Sequence, residues 1–596
     1  MSEPNAEYAQ RLEARLKTIA GKERVHLQLG YWKLATIAAG LVLAWLSLAR
    51  NLFSPYWLIA VVVLYVILAV WHDRVIRART HAETATAFYR RGIARIEDRW
   101  PGTGEPGERF RDSKHIYAED LDLFGRGGLF ELLSTARLPM GENRLANWLC
   151  VPSPKESIQE RQSLLRSLRD NLDLREDLAV VGEDLRVKLN PETLEGWSES
   201  ARILPAGPMR AVAALLAVCF LTALIVDFAA HTHIPVLLVL AIEAVFLRWL
   251  RPRAQTVIGG LATNEEGLLL FAEILKRIER EQFTSPRLQS FSAELKHGAE
   301  PASRALRKLA LIVSYIDGRE SPLALLAELP LLYSVQVALA AEAWRARWGQ
   351  RMRGWIEIVA EMEALLSLAA YSYEHPADPF PEIVDPENSH AFFDGLELGH
   401  PLIPSARCVR NSARLDAQLR VMLVSGSNMS GKSTFLRTAG INTVLAMAGA
   451  PIRGKSLRLT PLSIGSRIRS TDSLQENRSS FYTEILQIRQ VFELMKQGAP
   501  LLFLFDELLE GTNSNDRRAG AEGLIRTLLN HGAIGVVTTH DLALTDLPHV
   551  LGEQVRNKHF QDYVENGKMR FDYKLRDGVV AKSNAIELMR LIGLDL

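Results

Sequence analysis

The chain has 596 residues, more than a single hydrophobic core serves, so three or four domains of roughly 150 residues are expected. Lys and Arg number 70 against 69 Asp and Glu, and a net charge of +1 excludes the global basic excess of a dedicated nucleic-acid binder. Cys150, Cys219 and Cys408 lie far apart with no CxxC or Cys/His spacing, which argues against a structural zinc site and a disulfide framework and fits a reducing compartment.

Residues 1–30 are charged and read as a cytoplasmic segment, and the apolar stretch after them starts too late for a signal peptide. Two charge-free runs follow, Leu34 to Ala49 and Tyr56 to Trp71, separated by six residues. They predict a transmembrane helical hairpin over 31–72, with Tyr31, Trp32, Trp57 and Trp71 as interfacial aromatics and Lys33 able to snorkel. A charged helical pattern covers 73 to about 98, and Trp100 to Gly107, with two prolines and three glycines, marks a boundary in the linker 73–115.

Residues 116–207 and 251–385 are rich in Leu, Ala, Glu and Arg with apolar positions three and four apart, which predicts an all-α arm or lever in two parts. Between them, at 208–250, runs Ala211 to Ala230 and Ile234 to Leu247 form a second hairpin that either spans a membrane or packs as a buried or interfacial pair. Asp227 and Glu243 interrupt it, and both are expected near an interface or paired internally. Arg74, Arg77 and Arg79 after the first hairpin, and Arg248, Arg251 and Arg253 after the second, place both termini and the large segments in the cytoplasm by the positive-inside rule. An inner-membrane, multi-pass location follows from that reading. Trp344, Arg345, Arg347, Trp348, Arg351, Arg353 and Trp355 interleave cations and aromatics, a pattern that helical spacing explains by tryptophans packed inward beneath an arginine face.

From about 386 to 596 short apolar runs alternate with helices, the α/β texture of a mostly parallel sheet. The strand Val421 to Ser425 runs into Gly426-Ser427-Asn428-Met429-Ser430-Gly431-Lys432-Ser433-Thr434 and then a helical stretch, which is a P-loop in its required context. Its glycines let backbone N–H groups turn onto the phosphates of ATP, Lys432 reaches the β- and γ-phosphates, and Ser433 is a ligand for Mg²⁺. A second apolar strand, Leu501 to Phe505, ends in Asp506, expected in the Mg²⁺ shell, and Glu507, expected to deprotonate the attacking water. A third, Ile534 to Thr539, ends in His540, a candidate γ-phosphate sensor at the edge of the sheet where ligands collect.

These residues resemble the MutS ATPases. The stretch from Ser425 to Arg437 is similar to that family's P-loop, including Asn428 and Met429, which the generic motif does not require. Asp472 to Glu484 resembles the family's signature that reaches across a dimer, with Ser479 matching the serine that contacts the other subunit's γ-phosphate. Asp506 to Asp516 agrees at Gly511, Thr512 and Asp516, whereas Leu509 and Glu510 depart from the family's usual Gly-Arg. Tyr573-Lys-Leu with Lys582-Ser583 and Ile586-Glu587 resembles the closing motif, and His400-Pro401 the domain's start. Leu121 to Phe124, Leu138 to Gly141 and Arg161-Gln162 resemble the helical core and lever. The resemblance implies a homodimeric ATP hydrolase of P-loop fold preceded by a lever, and a DNA-repair-related role with double-stranded DNA as a partner. No N-terminal mismatch-reading segment with a Phe-x-Glu wedge is visible, and membrane hairpins stand in its place. The competing expectation is an ATPase of ABC-like logic that moves its hairpins or an unknown protein partner in the membrane.

Overall fold

The computed structural model describes residues 3–580 apart from 51, 53, 262–263, 299, 387–389, 469–479, 511 and 566–567. The two apolar runs of the first hairpin belong to much longer helices, Glu3–Leu48 and Trp57–Ile96. The charged segments on either side carry the same helical period without a breaker, so nothing stops either helix at the apolar boundary. Over the apolar half the pair exposes its side chains, Leu41 at 68% and Ile67 at 58% among them. The charged half instead packs on the arm through a small core of Tyr8, Phe88, Tyr89, Leu172 and Ala179.

Beneath that core lies a polar network. Arg95 donates from Nε and Nη2 to the two oxygens of Glu374, each at 2.6 Å, and the Tyr8 hydroxyl donates to the same carboxylate at 3.2 Å. Arg11 pairs with Asp173 at 2.5 Å and Arg15 with Glu176 at 2.6 Å. The charged end of the hairpin is thereby joined to the arm by buried and half-buried ion pairs.

The arm is built around one helix, Tyr333–Glu374, whose burial on nearly every side explains its high apolar content. Trp344, Trp348 and Trp355 are buried in it, the Trp344 indole donates to the Ala305 carbonyl at 2.7 Å, and Arg345 is paired with Glu342. The cation and aromatic interleaving is therefore a packing pattern. Shorter helices surround it, several opened by capping residues that accept first-turn N–H groups, such as Asn171, Asn190 and Asn264. The segment read as a boundary at Trp100 to Gly107 is held in place: Trp100 is buried in the main core, and Glu131 accepts the N–H groups of Gly102 and Gly104 at 2.6 and 3.1 Å.

The second hairpin consists of Ala206–Ala230 and Ile234–Gly260. Among the described residues three helices are long and apolar enough to cross a membrane: Glu3–Leu48, Trp57–Ile96 and, in the second hairpin, Gly207–Ala230. Asp227 pairs with His233 Nδ1 at 2.7 Å near the turn, whereas Glu243 is fully buried and neither of its carboxylate oxygens has a hydrogen-bond partner.

The C-terminal domain carries ten described strands: β1 Glu382–Ile383, β2 Phe393–Leu398, β3 Asn411–Leu415, β4 Val421–Ser425, β5 Ser456–Leu459, β6 Ser463–Arg467, β7 Leu501–Phe505, β8 Ile534–Thr539, β9 Val555–Glu565 and β10 Lys568–Asp577. A small sheet has the order β1-β5-β2-β3 and the main sheet β10-β9-β4-β8-β7-β6. In the main sheet β6, β7, β8, β4 and β9 are parallel and only β10 is antiparallel. β4, β7 and β8 are buried at every residue, as strands covered on both faces must be. β4 and β8 lie in register from Val421 opposite Gly535 to Ser425 opposite Thr539, so their carboxyl ends, with that of β7, open on one side of the sheet.

Candidate functional site

β4 delivers the chain into the P-loop, and helix Lys432–Ala448 begins immediately after it. Gly426, Met429 and Gly431 adopt φ of 157°, 70° and 107°, turning the loop back on itself so that the helix's unpaired first-turn N–H groups face its interior. A Cβ at Gly431 would sit 3.1 Å from the Tyr573 ring, so the glycine is required for close approach as well as for its backbone angle.

Lys432 is 4% exposed, and its ammonium donates to the carbonyls of Gly426 and Ser427 at 2.8 and 3.0 Å. Burial lowers its pKa, and the neighbouring Glu507 and Asp506 oppose that shift. The hydroxyls of Ser427 and Ser430 are buried with no hydrogen-bond partner. Orphaned donors inside a loop already lined with N–H groups are what a bound phosphate would satisfy, so the residues present fit a nucleoside triphosphate.

β7 leads directly into Asp506, whose Oδ1 accepts the Thr538 hydroxyl from the neighbouring strand. Thr538 Oγ1 in turn accepts the backbone N–H of Glu507 at 3.0 Å. Glu507 sits at φ 52°, a left-handed conformation costly for a residue with a Cβ, and the Thr538 contact holds it there. Its Oε1 lies 3.8 Å from Lys432 Nζ and 3.6 Å from His540 Nδ1, and Glu510 Oε1 lies 4.0 Å from His540 Nε2. Burial raises the Glu507 pKa, and the Glu510 carboxylate adds to the rise. Ser433 and Thr434 line the same cleft of about 940 Å³ with Asn428, Met429, Asp506 and Glu507.

The structure thus brings the P-loop, Asp506 with Glu507, and His540 to one point from three places in the sequence. Ser479, Gly511 and the closing-motif residues Lys582, Ser583, Ile586 and Glu587 lie outside the described residues. At the end of the signature, Glu484 accepts the Leu509 N–H at 2.8 Å and faces Arg467 at 3.8 Å, which ties helix Ser480–Lys496 to the loop after Asp506 and Glu507.

Leu509 has φ 58°, so the position where the resembling family has glycine is a left-handed one. Here a leucine bears that strain and is 4% exposed. Gly520 makes room for it, since a Cβ there would lie 2.7 Å from Leu509 Cδ1.

Sequence reasoning missed three contributors. Thr538 orients both carboxylate residues, and its sequence signal was the pair of threonines that closes an apolar strand. Glu510 joins Glu507 and His540, and its signal was the departure from the family pattern. Asp120, on the arm, accepts the Ser466 hydroxyl at 2.7 Å and the Ile468 N–H at 3.0 Å and so clamps the end of β6, beside Asp506. No local pattern marks a contact across 346 residues.

Comparison with known proteins agrees with this geometry. The profile of MutS domain V matches residues 422–595. Endonuclease MutS2 of Thermus thermophilus is 34% identical over 203 residues, 33% of this chain and 25% of its own length. DNA mismatch repair protein MutS of Geobacillus thermodenitrificans is 29% identical over 253 residues, 41% of this chain and 27% of its own. The protein of the same name from Staphylococcus aureus is 28% identical over 272 residues, 44% of this chain and 30% of its own. The chain therefore spans between a quarter and three tenths of the length of these relatives.

Proposed function

From the premise that this chain is a MutS-family protein, we propose that it is a membrane-anchored ATPase that binds and hydrolyses Mg-ATP between two copies of itself, in a DNA-repair-related role. The observation that carries the reading is the meeting of Lys432, Asp506, Glu507 and His540 at one end of the parallel sheet, beside P-loop hydroxyls that lack partners.

The triphosphate lies along the loop's N–H groups, and Lys432 exchanges the carbonyls of Gly426 and Ser427 for phosphate oxygens. Ser433 and Asp506 would hold Mg²⁺, which neutralises phosphate charge when bound. Glu507 accepts the proton of the attacking water, and burial, by pushing its pKa above the ordinary carboxylate value, makes it a stronger base. His540, beside that carboxylate, contacts the γ-phosphate as it separates. Ser479 of a second copy completes the site, and hydrolysis reopens the pair and moves the arms.

The names of the relatives support a DNA-repair-related role, and the membrane part of the reading rests on the exposed apolar stretches of the first hairpin. A second reading, an ATPase that moves its hairpins or a membrane partner without DNA, is favoured by the polar network fixing the first hairpin to the arm.

Glu507→Gln is expected to retain ATP binding and lose turnover by at least about a hundredfold, the scale of removing a general base, while Lys432→Ala loses nucleotide retention. Normal hydrolysis by Glu507→Gln overturns the assignment. Duplex binding by the detergent-solubilised protein, titrated against salt with and without ATP, separates the two readings, and no affinity at low salt ends the DNA-engaged one.

A further inference from the structure

A groove of about 440 Å³ opens on the first hairpin, at the level where its helices change from charged to apolar. Lys33 immediately precedes the apolar run on one helix, and His72 immediately follows it on the other. Lys33 Nζ lies 3.2 Å from His72 Nδ1, and His72 Nε2 lies 2.7 Å from His26 Nδ1.

An ammonium can only donate, so His72 Nδ1 accepts from Lys33 and its proton sits on Nε2. That proton is donated to His26 Nδ1, which places the His26 proton on Nε2, where no protein acceptor meets it among the described residues. Among the described residues, the row leaves two Lys33 protons and one imidazole N–H without protein acceptors. Every neighbouring acid is already engaged: Asp73 pairs with Arg77, and Glu23 and Glu83 both pair with Arg79. Among the described residues no carboxylate pairs with Lys33.

The rest of the groove is amphipathic. Tyr31 and Tyr65 line it together with Leu34 and Ile37, and Lys33 Nζ is 5.7 Å from the centroid of the Tyr65 ring. Gly30 forms its floor, and a Cβ there would meet nothing within 4 Å. Unneutralised donors on the charged side, tyrosines at the boundary and an aliphatic wall on the apolar side match the order of groups in a phospholipid: phosphodiester, glycerol ester, acyl chain.

We propose that this groove binds the headgroup phosphate of an anionic phospholipid, with Lys33 and His26 as donors and the acyl chain lying along Leu34 and Ile37. The proposal rests on the reading that the first hairpin spans a membrane.

The test uses the full chain in phosphatidylcholine nanodiscs containing one tenth phosphatidylglycerol, with lipids retained after detergent extraction counted by native mass spectrometry. Phosphatidylglycerol is expected to be enriched about fivefold over its mole fraction, the ratio expected for one interfacial cation. Lys33→Gln and Gly30→Leu, which fills the groove without touching charge, are each expected to bring the ratio near one, while ATP turnover stays at the parent's level. Equal retention of both lipids by the parent, or unchanged enrichment in both variants, overturns the proposal. Displacement by millimolar inorganic phosphate also overturns it, since the ligand would then be the free anion. Carbonate washing of membranes tests the underlying reading separately: release of the parent defeats the spanning hairpin, whereas a parent that stays in the pellet without lipid preference defeats only the lipid site.

Discussion

The joint between the first hairpin and the arm can be broken at one carboxylate. Glu374 has a fully buried side chain, Arg95 is 7% exposed, and the two are joined by a bidentate pair with both contacts at 2.6 Å. Glu374→Ala leaves a buried guanidinium without its partner and the Tyr8 hydroxyl without its acceptor, a loss of about 3–5 kcal/mol. For a cooperative unit of 150–250 residues, that lowers the thermal midpoint by roughly 6–20 °C. Removing both charges behaves differently, because the desolvation cost of the pair disappears with them. The double variant Arg95→Met with Glu374→Leu is therefore expected within about 1–2 kcal/mol of the parent, giving a large favourable coupling between the two sites. Circular dichroism melts of the parent, Glu374→Ala, the cycle's single variants Arg95→Met and Glu374→Leu, and the double variant, in one detergent, measure both quantities. A single variant within about 1 kcal/mol of the parent, or a double variant no better than the single, would refute the reasoning.

Asp120→Ala strips the acceptor from the Ile468 N–H, while Ser466 Oγ keeps the Ile116 carbonyl at 3.2 Å. The expected cost is about 1–3 kcal/mol in denaturant, with a fall in turnover because Ile468 lines the nucleotide cleft; Asp120→Asn should recover most of both. Glu363 is buried, accepts the N–H groups of Arg137 and Leu138, and has its pKa raised by burial to about 8. The folded state thus holds a proton that the unfolded chain releases near its ordinary value, so stability from this group falls as pH rises from about 4.5 to about 8. Glu363→Gln should flatten that limb of the stability profile, and an unchanged slope in urea melts between those pH values counts against the assignment. Leu509→Gly relieves left-handed strain of about 1 kcal/mol but forfeits a buried leucine worth about 2–5 kcal/mol, so net destabilisation of about 1–4 kcal/mol is expected. A more stable glycine variant would show that Gly520 does not make the leucine fit.

The parts of this molecule that were readable in sequence are those whose chemistry is local. A P-loop announces itself because one strand, one turn and one helix start are contiguous, and Asp506 and Glu507 because they end an uninterrupted apolar strand. Helix ends were less legible. The 46 residues of Glu3–Leu48 form one helix because the charged period of its first half continues into the apolar half, while composition alone divides them at residue 30. Trp100 to Gly107 reads as a linker from its glycines and prolines, and only the distant Glu131 shows why it is fixed. The left-handed backbone of Leu509 was hidden for the opposite reason: leucine gives no warning of a positive φ, and the compensating space lies eleven residues on, at Gly520.

What the contacts imply for mechanics follows from where they are short and buried. The end of β6 lies beside Asp506, whose N–H donates to the Arg467 carbonyl at 2.8 Å, and it is clamped by Asp120. Next to Asp120, Leu121 is fully buried against helix Lys432–Ala448, where a Cβ at Gly440 would lie 2.6 Å from Leu121 Cδ2. The same continuous core contains the long arm helix, and that helix ends at Glu374 on Arg95 of the hairpin. A close-packed interior passes displacement from one element to the next, because there is no free volume in which to lose it. A tether that only kept the ATPase near a membrane would need a flexible connection and nothing more. A buried ion pair adds little stability over an apolar contact of the same size, yet it fixes the angle at which two elements meet. Spending desolvation on Arg95 and Glu374 makes physical sense for a lever, whose angle must be kept, and none for a leash.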